Sequence, residues 1–240
     1  MITVEPPKVG YLTIPALLTL LAVLFFVMGG SATRPYWRES GLVENVSALG
    51  YLAGAVVAML AAWRHRGLAR WYLALWAVFC LVCMGEETSW FQHFIGYQTP
   101  EAVAARNAQG EFNIHNLEIF HGGHLTRSEN QSFASLLKAQ ILFQIGFAIF
   151  FLVVPVVARS APIGNLLARM GTYVPSLKFI PFVWIPIGFA LIFSLLSTDL
   201  TKQGLAELRE MMFALFIGCF LLMVHIRTRR ARSSATVQSA

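Results

Sequence analysis

The sequence predicts an all-α integral membrane protein with six transmembrane helices and both termini cytoplasmic. Three observations lead there. Of 240 residues, 57% are hydrophobic and only 12% charged, with a mean hydropathy of +0.63, far from the composition of a soluble domain. Apolar runs recur at about 11–29, 43–63, 71–91, 133–157, 179–197 and 211–226, each near the ~20 residues that ~30 Å of hydrocarbon demands. Finally, Lys8, Arg64, Arg66, Arg70, Arg159, Arg169, Lys178, Arg227, Arg229, Arg230 and Arg232 all fall on one side of that pattern. These are eleven of the eighteen basic residues, and their side is expected to be cytoplasmic. The net charge of +6 thus follows topology and does not point to nucleic acid. Eleven of the twelve acids, all but Glu5, lie in or beside the opposite segments. Acids play no part in the positive-inside rule, so this asymmetry is an independent sign of an outward face that carries chemistry.

Span one starts after Lys8 and lacks a small-residue cleavage site, so a retained helix is expected. The loop SATRPYWRES puts Tyr36 and Trp37 at the interface, where amphipathic rings settle. Glu44 and Asn45 open span two, and Gly50 and Gly54 form a G-x-x-x-G that allows close helix contact. Span three has only fifteen apolar residues, WYLALWAVFCLVCMG; continuing it through EETSWF completes a crossing and leaves Glu86 and Glu87 at membrane depth. Ionisable groups there cost roughly 2.5–3.5 kcal/mol at the centre and usually face the bundle interior. Span four carries Lys138, Gln140 and Gln144 as a polar stripe. Pro181 and Pro186 should bend span five, and TKQGLAELRE reads as a short interfacial helix before span six. The chain reads as one domain, 1–240, ending in a basic, disordered tail at 227–240. Cys80, Cys83 and Cys219 fall inside apolar runs and read as packing residues.

The stretch with chemistry is 85–124, which holds five acids (Glu86, Glu87, Glu101, Glu111, Glu118) and four of the six histidines (His93, His115, His121, His124). It belongs to a polar loop, about 92–132, expected to be helical and packed on the extracytoplasmic face. PEAVAARNAQ reads as a short helix with proline in its first turn. Glu111, His115 and Glu118, at i, i+4 and i+7, would share one helical face, and Glu118 with His121 forms Glu-x-x-His. Two chemistries suit this set. A divalent ion such as zinc could be held by Glu87, His115, Glu118 and His121. Di-iron is disfavoured because the second Glu-x-x-His is missing. Without metal, adjacent carboxylates in unlike surroundings could serve acid–base roles with the histidines, from Glu86, Glu87, His93, Glu111 and His115. Glu44, Trp90, Gln92, Asn107, Asn113 and Asn116 are the candidate substrate contacts. The plain alternative is a structural polar network that locks the loop down, for which Asn107, Asn113 and Asn116 are suited.

GEETSWFQ, followed by the N-x-Q-x-E-x-N-x-H-N of Asn107, Gln109, Glu111, Asn113, His115 and Asn116, resembles a motif pair in a family of uncharacterised bacterial multi-pass inner-membrane proteins. More loosely, Ser89-x-x-x-His93 is similar to the Ser-x-x-x-His of alkaline ceramidase-like membrane hydrolases. That resemblance adds Ser89 to the catalytic candidates and implies a zinc that activates water. The late His-x-x-x-His of those hydrolases is absent here, and they have seven spans.

The expectation is therefore a multi-pass bacterial inner-membrane enzyme, a hydrolase or transferase acting at the extracytoplasmic face on a lipid or lipid-linked substrate. Two alternatives come from other classes. A transporter or proton-coupled channel would need polar residues continuing inward, where spans two and three read as dry. An accessory subunit of a larger membrane complex, or an oligomer, would use the G-x-x-x-G face.

Overall fold

The computed structural model describes residues 2–8, 10–37, 41–107, 110–114, 117 and 139–238, without the side chains of 29–33, 37 and 231–238. A short strand, β1 (Ile2–Val4), precedes α1 (Thr13–Trp37), α2 (Leu42–Ala62) and α3 (Gly67–Glu87). Two single-turn helices follow, α4 (Gln92–Ile95) and α5 (Glu101–Ala104). Next come α6 (Ala139–Val157), α7 (Ala161–Arg169), β2 (Tyr173–Pro175), α8 (Phe179–Leu196) and α9 (Asp199–Gln238).

Length and composition make five of these helices fit to cross a membrane: α2, α3, α6, α8 and the Asp199–Arg230 part of α9. α1 adds a shorter apolar stretch, Thr13–Met28. Many apolar side chains on the outer faces stay exposed, among them Leu17, Leu52, Leu75, Ile145 and Leu195, as a lipid-solvated bundle requires.

α9 is the hub. Its Leu205, Leu208, Met212, Phe216, Phe220 and Val224 are buried at three- and four-residue intervals, and it packs on α1, α2 and α8. The G-x-x-x-G face meets it. A Cβ on Gly218 would stand 2.9 Å from the Gly50 carbonyl oxygen, and one on Gly54 would lie 3.5 Å from the Gly218 Cα. Small residues therefore set how closely α2 and α9 approach. Phe151, Phe179, Phe182 and Phe216 fill the centre.

Two expectations are corrected. The loop after span one is helical up to Trp37, with Pro35 in its last turn. TKQGLAELRE is no separate interfacial helix. It is continuous with span six, because its Leu205 and Leu208 belong to the same buried stripe. The tail is carried on that helix as far as Gln238. Residues 158–178 hold α7 and a strand, β2, paired in parallel with β1 in the register Ile2↔Tyr173, Thr3↔Val174, Val4↔Pro175.

That small sheet ties one end of the bundle together. Tyr72 Oη donates to the Tyr173 carbonyl at 2.6 Å, Arg227 donates to the Thr3 carbonyl, and His65 Nε2 contacts Tyr173 Oη at 2.6 Å. The opposite end carries the functional candidates.

Candidate functional site

α3 ends at Glu87, four residues short of the expected boundary. Thr88 is its C-cap, with its backbone N–H and its hydroxyl both returning to the Met84 carbonyl at 3.2 and 3.0 Å. Ser89, Trp90 and Phe91 then adopt φ of 44°, 53° and 66°. Three successive non-glycine residues in the left-handed region cost on the order of 1–2 kcal/mol each, and such strain survives only where surrounding contacts over-determine it. Here they do. The Trp90 ring lies over Gly85, where a Cβ would come within 2.9 Å of it, and Trp90 Nε1 donates to Glu86 Oε1 at 2.8 Å. Tyr97 Oη donates to the carbonyls of Ser89 and Trp90 at 3.1 and 3.2 Å. The turn reverses the chain and lays residues 92–114 back against the end of α3.

Glu111 is the centre of that fold-back and is 8% exposed. Its Oε2 accepts from the Ser89 hydroxyl and from Asn113 Nδ2 at 2.9 Å; its Oε1 meets His93 Nε2 at 2.9 Å. Asn113 Nδ2 also reaches Ser89 Oγ at 3.0 Å. Asn107 closes the loop: its Nδ2 donates to the carbonyl and to Oδ1 of Asn113, at 3.0 and 2.9 Å, and its Oδ1 accepts from the Glu111 backbone N–H at 3.2 Å. Around this core, Gln92 Oε1 accepts from the Phe112 N–H at 2.8 Å and from Thr99 Oγ1 at 3.1 Å. Glu86 Oε2 accepts from the Ile114 N–H at 2.7 Å. Of the residues singled out by sequence, Glu86, Ser89, Trp90, Gln92, His93, Asn107, Glu111 and Asn113 thus come together.

The helix expected to start at Glu111 is absent over 111–114. Gly110 turns with φ +72°, Asn107 bridges antiparallel to Leu117, and the Asn107 amide holds backbone groups that a helix would pair internally. Local side-chain bonds of this kind compete with helix formation. Within the described part of 92–132, helix is limited to the two single turns α4 and α5. His115, Asn116, Glu118 and His121 lie outside the described residues, as do Lys138 and His124. Among the described residues, no group of three or more His, Cys, Asp or Glu is placed to hold a metal ion; three of the four expected ligands are not among them.

Glu87 and Glu44 belong to a second cluster, deeper in the bundle. Glu87 lies in electrostatic range of Glu210, Glu207, Glu44 and Glu86, Glu207 in range of Glu210, Glu44 and Arg209, and Gln140 Nε2 donates to Glu210 Oε1. Sequence reasoning missed Glu207, Arg209 and Glu210 by assigning them to an interfacial helix. Their signal was available: an acid–base–acid triplet at 207, 209 and 210 that runs directly into an apolar span.

Compared with known proteins, this chain matches no family model, no curated protein and no solved structure.

Proposed function

We propose that this chain is a bacterial inner-membrane enzyme with six spans and cytoplasmic termini, acting at the extracytoplasmic face on a lipid or lipid-linked substrate as a hydrolase or transferase. One observation carries the proposal: an accessible imidazole backed by a buried carboxylate. The His93 side chain is 37% exposed and its Glu111 partner 11%. With Glu111 Oε1 accepting a hydrogen bond from His93 Nε2–H, the imidazole keeps its lone pair on Nδ1. Nδ1 would accept a proton from a water or alcohol nucleophile, and Glu111 would stabilise the resulting imidazolium, the division of labour that carboxylate–histidine pairs use elsewhere.

Ser89, Asn107 and Asn113 act as positioning residues. Ser89 is 1% exposed, and its proton and one lone pair are already engaged. Glu86 holds the strained turn through Trp90 and Ile114. Zinc or another divalent ion at Glu87, His115, Glu118 and His121 stays part of the proposal, and the carboxylate behind His93 would equally orient its Nδ1 toward such an ion. The transporter alternative has less support. Inward of Glu44 and Glu87, most buried side chains among the described residues are apolar, Ala55, Leu73, Ala77, Phe216 and Phe220 among them.

The test compares lipid extracts of cells expressing the native chain, His93→Gln or an empty vector, by mass spectrometry. Glutamine still donates to Glu111 but is no base, so lipid species altered by the native chain should return to vector levels. Loss of a general base typically removes about 10²–10⁴ in rate. Unchanged conversion by His93→Gln would sink the assignment.

A further inference from the structure

No residue of α7 (Ala161–Arg169) is buried. Ile163 and Leu166, with Met170 at the C-cap, follow one another at three- and four-residue intervals and so share one side of the helix. All three stay exposed, Leu166 at 57%. Asn165 stands on the opposite side, and Arg169 on the flank beside Leu166, both exposed. Facing water, such a stripe would be costly. Facing lipid, it is the pattern of a helix that lies in a membrane surface.

The chain on either side fixes where α7 lies. It begins four residues after Val157, where the α6 span ends. A Cβ on Gly164 would stand 2.8 Å from the Ala158 carbonyl oxygen, so the first turn is folded onto that span end. At the other end Gly171 turns with φ +65°, and the N–H groups of Gly171 and Thr172 return to the Ala168 and Leu167 carbonyls at 3.0 and 3.1 Å, a helix stop that favours glycine. A Cβ on Gly171 would come within 2.9 Å of the Ala69 Cβ, in the first turn of α3. Held at two span ends, a helix about 13 Å long lies across the end of the bundle. Trp63 and Trp71, 70% and 67% exposed at the neighbouring ends of α2 and α3, mark the same level independently, because indole rings settle among lipid head groups.

That corner is also basic. Arg169 lies two residues before Gly171 and Arg66 three before Ala69, which keeps their Cα atoms within about 7 and 11 Å of the contact. Both side chains are exposed, and the ion pairs among the described residues involve neither. The acid at this end, Glu5, is held by Lys178 at 3.0 Å.

We propose that α7 lies in the plane of the membrane at the basic end of the bundle, with Ile163, Leu166 and Met170 among acyl chains and Arg66 and Arg169 on the head group of an anionic phospholipid. The guanidinium fork matches phosphate oxygens, and a net negative head group answers two unpaired positive charges. The surface is at the opposite end from His93 and does not depend on the enzyme reading.

Two measurements on the full-length protein test it. Nitroxide labels are placed on Leu166→Cys and Asn165→Cys, in a background lacking Cys80, Cys83 and Cys219, in phosphatidylglycerol–phosphatidylcholine vesicles. The label at 166 should collide mainly with oxygen, which concentrates in lipid, and the label at 165 mainly with a water-soluble nickel chelate. Equal nickel accessibility at 165 and 166 overturns the membrane-plane helix. The second measurement keeps the native cysteines. Protein in micelles with equal phosphatidylglycerol and phosphatidylcholine should retain the former in about tenfold excess or more by native mass spectrometry. Arg66→Gln and Arg169→Gln should each cut that excess about fivefold. Lys178→Gln removes an equal charge that Glu5 already neutralises, and should leave the excess within about twofold of native. Equal retention of the two lipids overturns the head-group site, and so does a loss in Lys178→Gln as large as in the arginine variants.

Discussion

Glu111→Gln should leave the fold standing while reversing the chemistry of His93. Glutamine is isosteric, so its oxygen can take the place of Oε2 and keep the Ser89 and Asn113 donors, at 2.9 Å for Asn113. Its amide then occupies the position of Oε1, 2.9 Å from His93 Nε2, and must donate. Nε2 becomes the acceptor, and the proton moves to Nδ1, the atom proposed as the base. Three charge-assisted bonds become neutral ones, a loss of about 1 kcal/mol each, partly offset because a charge no longer has to be buried. The net cost should be about 1–3 kcal/mol. Glu111→Ala, by contrast, strands the Ser89, Asn113 and His93 groups at about 1–3 kcal/mol apiece and should unfold the 92–114 segment. By analogy with a triad whose aspartate is replaced by asparagine, conversion by Glu111→Gln should fall about 10⁴-fold. Nitrogen-15 NMR of histidine-labelled protein in micelles reports which ring nitrogen carries the proton, and thermal unfolding reports the fold. An unchanged His93 tautomer with native conversion would refute the reasoning, and so would a Glu111→Gln chain as unstable as Glu111→Ala.

Other outcomes follow from single contacts. Gly85→Ala puts a methyl 2.9 Å from the Trp90 ring; it should release the left-handed turn and raise hydrogen exchange across 89–97, with little effect on exchange in α2. Gly218→Val would drive into the Gly50 carbonyl and, at the ~1–3 kcal/mol typical of overpacking, should lower the thermal midpoint, whereas an unaltered midpoint would deny that α2 and α9 meet through their glycines. Impermeant thiol reagents on intact cells, in a background lacking Cys80, Cys83 and Cys219, should label the exposed Gln98→Cys and spare the exposed Arg66→Cys. The opposite pattern would invert the topology and end the extracytoplasmic enzyme.

The helices were legible because hydrocarbon thickness fixes both the length and the composition of a span, and α2 and α8 begin and end within a residue of where the apolar runs do. What lay beyond sequence reasoning had no such constraint. β1 and β2 are three residues each, too short to alternate, and they pair across some 170 positions of chain. The unity of α9 was hidden by Gly204 and by charges at Glu207, Arg209 and Glu210. All of these are tolerated because Leu205, Leu208 and Met212 continue the buried stripe beneath them.

At the site, composition spoke and conformation did not. The polar residues that matter were recognisable, since an oily chain with acids, asparagines and histidines gathered in one window has few reasons to keep them. Their geometry was misjudged because it violates local preference. Helical spacing linked Glu111 to His115 and Glu118, yet Glu111 sits in a turn beyond Gly110; nothing in Ser89-Trp90-Phe91 announces a left-handed turn, which glycine ordinarily supplies. A sequence that breaks with local preference here must offset the strain with contacts, and those contacts run to Gly85, Glu86, Thr88, Tyr97, Asn113 and Glu111. Backbone conformation alone would be better served by glycine at 89–91. What the strained turn achieves, and a relaxed one would not, is to bring Ser89 under the Glu111 carboxylate while His93, one turn further on, meets the same carboxylate from the solvent side. Conformational cost concentrated on aiming one accessible imidazole is what the catalytic role proposed for His93 would require.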